Sequence, residues 1–84
     1  MIEWNGYRIW VWATAYRKDV GEYLCEFDTM REVKSYIKEH YPWLDDVSYV
    51  YCAAEEIDDD GNINPPCHGK TKAEAVSKLK KVLS

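Results

Sequence analysis

Large and small apolar residues interleave through Tyr7-Arg8-Ile9-Trp10-Val11-Trp12-Ala13-Thr14-Ala15-Tyr16, and neither alternate row is polar. An extended chain sends successive side chains to opposite sides, so Tyr7, Ile9, Val11, Ala13 and Ala15 share one face and Arg8, Trp10, Trp12, Thr14 and Tyr16 share the other. A strand with solvent on one side needs a single apolar row. Two such rows predict a strand that packs on a core with one face and buries or binds something with the other. The strand is predicted from Asn5 to Arg17, turning through Lys18-Asp19-Val20-Gly21 into a second strand at Glu22 to Phe27.

The period then changes. Thr29-Met30-Arg31-Glu32 has the capping-box pattern, the Thr29 hydroxyl accepting from the Glu32 amide and the Glu32 carboxylate returning to the Thr29 amide. Met30, Val33, Ile37 and Tyr41 follow at helical spacing, and Pro42 ends the helix because the residue before proline avoids the α region. Val47 to Ile57 reads as a further strand with two apolar rows, Tyr49 and Tyr51 against Val50, Cys52 and Ala54. Asp58-Asp59-Asp60-Gly61-Asn62 is turn chemistry, predicted to close a hairpin onto a brief edge segment near Ile63 that Pro65-Pro66 ends. Thr71-Lys72-Ala73-Glu74 repeats the capping box, and Val76, Leu79, Val82 and Leu83 give a second amphipathic helix.

These elements predict one α+β domain over residues 1–84, in the order β-β-α-β-(β)-α. Its small antiparallel or mixed sheet of three to four strands carries two helices on one face, because each helix needs only one apolar face covered. Ile9, Val11, Ala13, Val50, Cys52 and Ala54, small and aliphatic, suit contact with the helices. Trp10, Trp12 and Tyr16, with Tyr49 and Tyr51, then fall on the helix-free face, which is expected to be aromatic.

Composition explains why aromatic residues matter. A chain of 84 residues buries only about 60% of its unfolded surface, so four Trp, seven Tyr and one Phe must supply much of the area. There is no apolar run near the ~20 residues that span a bilayer, and Met1-Ile2-Glu3-Trp4 lacks a basic region followed by an apolar one, so the protein is expected to be soluble, cytoplasmic and without a membrane partner. Cys25, Cys52 and Cys67 are an odd count without Cys-x-x-Cys spacing, which fits reduced thiols better than a disulfide framework; a lone Cys25–Cys52 bridge is the alternative. The net charge of −4 is unevenly spread: residues 43–64 hold seven acids and no base, residues 65–84 five lysines and one acid. That asymmetry reads either as a solvated loop and helix face or as a surface that orients a partner.

An aromatic sheet face suits base stacking, but the strands carry only Arg8, Arg17 and Lys18 against Glu22 and Glu26, which disfavours a nucleic-acid chain. A nucleotide-like planar ligand needs less charge, and a protein partner suits the residues best, since Trp, Tyr and Arg dominate the energetic centres of interfaces. The alternative is that the row is simply covered, by the N-terminal segment with Trp4, by the loop around Trp43 or by a second copy of the chain. Asp58, Asp60 and Asn62 do not form a calcium loop, because with Gly61 at position six the bidentate position twelve becomes Cys67. Cys67-His68 with Cys25, Cys52 or His40 matches no common zinc spacing, so no metal or other cofactor is expected. Neighbouring Cys67 and His68 do not by themselves make a nucleophile and its base, and no phosphate loop, Ser-His-Asp order or carboxylate pair is recognisable.

Pro65 to Ala75, with Gly69-Lys70-Thr71-Lys72-Ala73-Glu74-Ala75, resembles the strand-to-helix ending of HicB-type antitoxins, where a Gly-x-Thr-x-x-Glu-Ala step opens a helix. The similarity covers under a quarter of the chain, and the helix predicted at Thr29 to Tyr41 departs from that family's β-β-β-α order, so no function is carried over. The sequence therefore predicts a non-enzymatic protein-binding module. Trp10, Trp12, Tyr16, Tyr49 and Tyr51 serve as apolar anchors and Asp58, Asp59 and Asp60 as an acidic rim, as in a phage or mobile-element inhibitor of a host or defence enzyme of the anti-CRISPR-like class.

Overall fold

A computed structural model describes all 84 residues as five strands and two helices. They are β1 (Ile2–Trp4), β2 (Tyr7–Arg17), β3 (Tyr23–Phe27), α1 (Met30–His40), β4 (Val47–Glu55), β5 (Cys67–Gly69) and α2 (Lys72–Leu83). The sheet is antiparallel throughout, in the order β1-β2-β4-β5, with β3 also pairing β2. β2 is long enough for its first residues to pair β1 and its last to pair β3 along the same edge. The α+β class and the two helices on one face are as the sequence predicts.

Two strands differ from expectation. Asn5 and Gly6 both adopt positive φ (49° and 83°), the geometry of a two-residue hairpin turn, so the N-terminus folds back on β2 as β1. Beyond the acidic turn, Ile63 makes only an isolated bridge to Glu56; the last strand comes after Pro65-Pro66, at Cys67–Gly69. Proline cannot donate to a ladder, so regular pairing resumes only past the pair.

The capping threonines act as predicted, but their glutamates do not. Thr29 and Thr71 accept from the Glu32 and Glu74 amides at 3.2 and 3.0 Å. Glu32 instead accepts from the Thr29 hydroxyl at 3.1 Å, and Glu74 from the Lys70 amide at 3.3 Å, one residue before the cap. Together with Lys78 at 3.2 Å, that contact holds the Glu74 carboxyl below the usual glutamate range, its hydrogen bond to Lys78 being the largest cause.

The molecule is elongated, 43 × 23 × 21 Å, and its core is divided accordingly. Ala13, Ala15, Cys25, Val33, Ile37 and Val47 form one cluster under α1; Ile9, Ala53, Ala75 and Leu79 form another under α2. Tyr51 packs against both. α2 sits close to β5 because Gly69 has no side chain: a Cβ there would lie 2.5 Å from the Ala75 nitrogen.

Candidate partner-binding face

Both helices cover the face that carries Ile9, Val11, Ala13 and Ala15, so the alternate row of β2 looks out from the other side. Cross-strand partners in an antiparallel pair share a face, and the β2–β4 register sets Trp10 opposite Ala54, Trp12 opposite Cys52, Thr14 opposite Val50 and Tyr16 opposite Ser48. Large side chains thus stand over small ones. Ala54 and Cys52 are only 0% and 2% exposed although no helix lies above them: they are the small cross-strand partners of the two indoles, and Cys52 lines the floor of a groove between Trp12, Pro66 and His68. Burial raises the Cys52 thiol to about 11, with a smaller contribution from the charge of Glu26. Thr14, also buried, donates its hydroxyl proton to the Cys25 carbonyl at 2.8 Å.

The same register corrects the assignment of Tyr49 and Tyr51. They pair with Ala15 and Ala13, on the helix side, and so do not join Trp10 and Trp12; Val50, Cys52 and Ala54 take the place expected of them. The size argument fails because Tyr51 bridges the gap between the two core clusters, while Tyr49 at the edge receives the Lys34 ammonium over its ring at 5.5 Å. Trp10, Trp12 and Tyr16 do occupy the helix-free face, with Trp10 43% exposed.

Tyr23 joins them unannounced. Strict alternation along Tyr23–Phe27 would place it with Cys25 and Phe27 on the helix side, but the register shifts between Ala15 and Tyr16, and the extra residue, Leu24, turns Tyr23 over to pair with Tyr16. Desolvation, then the nearby Glu26 carboxylate, pushes its phenol above the ordinary value.

Two grooves flank Trp12. One, about 380 Å³, is bounded by Trp10, Trp12, Glu26, Asp28, Glu56 and Ile63. The other, about 390 Å³, is bounded by Trp12, Tyr16, Tyr23, Glu26, Pro66 and His68. Trp12 and Glu26 border both. The sequence does not assign Glu26, Asp28, Ile63 or His68 to this face, since their membership depends on which strands are neighbours.

The predicted acidic rim divides into three different roles. Asp58 turns inward on its own loop, accepting from the Asp60 and Asn62 amides at 3.0 and 3.1 Å and from the Asn62 side chain at 2.7 Å. These bonds, the Asn62 side chain first, hold its carboxyl below the ordinary aspartate value. Asp59 meets Arg8 at 3.1 Å, and the same guanidinium pairs with Glu56 at 3.0 Å, pinning the loop to β2. Asp60 is left exposed at the turn with no side-chain ion pair.

Cysteine chemistry also resolves by face. Cys67 pairs with Ala53 on the helix side and His68 with Cys52 on the other, so Cys67 and His68 point apart. Cys25 and Cys52 likewise lie on opposite faces, and all three thiols are free. No group of three or more His, Cys, Asp or Glu is gathered to hold a metal ion, and no helix is long and apolar enough to cross a membrane. No protein-family model, curated protein or solved structure matches this chain.

Proposed function

We propose that the chain is a non-enzymatic binding protein that masks a site on another protein with its helix-free sheet face. Trp10, Trp12 and Tyr16 are the anchors and Tyr23 extends them. The observation that carries this is an aromatic row, Trp10 43% exposed, between two open grooves on the side that both helices leave bare. Rigid two-torsion aromatic side chains on a strand bury large area at small entropic cost, which is what an interface centre requires. In biological terms the reading is an occluding inhibitor of a host or defence enzyme, of the anti-CRISPR-like kind, on the strength of the aromatic content and acidic surface.

A planar ligand is the second reading, favoured by groove volumes at the lower end of the small-molecule range. Glu26, Asp28 and Glu56 beside the indoles disfavour a phosphate-bearing one. Affinity capture from a bacterial lysate separates the two: wild type should retain a protein that the Trp10→Ala, Trp12→Ala double variant loses. Identical recoveries would remove these anchors from the account, and nucleotide quenching of Trp fluorescence that vanishes in Trp12→Ala would favour the ligand instead.

A further inference from the structure

We infer that the partner meets this face with a basic segment, its arginine or lysine side chains entering the grooves on either side of Trp12. This deepens, and rests on, the reading of the helix-free face as a protein-binding surface. Neither groove is lined by a lysine or an arginine, whereas Glu26 borders both and Asp28 and Glu56 border the first. Arg8 is the base on the outward row of β2 next to the first groove, and its guanidinium is already committed to Glu56 and Asp59. Glu26 and Asp28 are exposed and make no ion pair within the chain, so two carboxylates beside the indoles are free to accept one from outside.

The geometry combines two attractions for one kind of side chain. An indole face draws a cation through its quadrupole, and a carboxylate at its edge adds a direct charge, so arginine, planar and weakly hydrated, is served by both. The negative field is felt locally: after desolvation, Glu26 is the next contributor raising both the Tyr23 phenol and the Cys52 thiol. The five lysines of residues 65–84 lie on or beside α2, in the layer behind the sheet, and do not oppose the approach. The carboxylates that attract a basic segment would repel a phosphate backbone.

The test uses a fluorescent nonapeptide of alternating arginine and leucine, and the same peptide with glutamine for arginine, in anisotropy titrations against the full chain. The arginine peptide should bind about tenfold more tightly, an advantage that shrinks with added salt. The Glu26→Gln, Asp28→Asn variant should reduce its affinity to that of the glutamine peptide. Glu39→Gln on α1, which removes one charge away from the grooves, should change nothing. Trp10→Ala, at an exposed site, should weaken both peptides without unfolding the chain. Equal binding of the two peptides, lost in Trp10→Ala, would overturn the basic partner while leaving the face as a protein site. Arginine-peptide binding indifferent to Glu26, Asp28 and Trp10 would be diffuse attraction to an acidic protein, and would overturn the inference, as would no binding.

Discussion

Ile9 and Trp10 are adjacent in one strand and face opposite ways, which allows the two-sided character of β2 to be weighed directly. Ile9 is 0% exposed, enclosed with Ala53, Ala75 and Leu79, so Ile9→Ala deletes buried methyl groups and leaves a hole that the surrounding backbone cannot close. Such changes cost about 2–5 kcal/mol. Trp10 is the larger side chain but is 43% exposed, so at most roughly 140 Å² of its surface is covered. At ~25 cal/mol per Å² that is about 3.5 kcal/mol as an upper bound, reduced because alanine keeps part of that cover and the denatured chain is already partly collapsed. Water enters the vacated space, so no cavity term is added, and the loss of strand propensity is common to both alanines. Denaturant unfolding followed by circular dichroism should therefore rank Ile9→Ala as the more damaging change, with Trp10→Ala still folded. If Trp10→Ala costs more than Ile9→Ala, the faces are wrongly assigned and Trp10 is a core residue.

Gly69→Ala would press a methyl group against the backbone of Ala75 and Glu74, neither of which can rotate away, and is expected to cost about 1–3 kcal/mol; an unchanged melting temperature would refute that close approach. Thiol labelling at mildly alkaline pH should reach the half-buried Cys67 first and Cys52 last, because Cys52 is 2% exposed with its thiol raised to about 11; early modification of Cys52 would show that the Trp-covered face opens. The Asp58 carboxyl is depressed in the folded chain, so its support of the turn is fully present above the ordinary aspartate value of 3.8 and lost as pH falls through its lower folded value. The Asp60 and Asn62 amide resonances should accordingly stay constant from neutrality to about pH 5 and titrate with a midpoint below 3.8, whereas a midpoint above it would mean the Asp58 bonds do not form.

Local signals made much of this fold legible. Thr29 and Thr71 mark both helix starts, the Pro42 break marks the end of α1, and alternation in β2 gives a row for the helices and a row for the outside. Asn5-Gly6 is also a strong two-residue hairpin signal, but β1 before it is only three residues long, too short for apolar alternation to mark a strand. What local patterns do not contain is pairing. Which row of β4 faces the helices is a question of register, and residue size pointed the wrong way because small residues can be buried beneath tryptophans as well as beneath helices. The bulge at Leu24 inverts Tyr23 without any glycine to announce it, and Glu26 and His68 reach the grooves only through strand neighbours remote in sequence.

Trp10 and Tyr49 offer the most direct measurement, since they are 43% and 36% exposed and stand on opposite sides of the same sheet. Oxidative footprinting of the chain alone and with a captured protein partner should show Trp10 and Tyr23 protected in the complex while Tyr49 oxidises at an unchanged rate. Protection of Tyr49 with Trp10 unaffected would place the partner on the helix side and contradict the account.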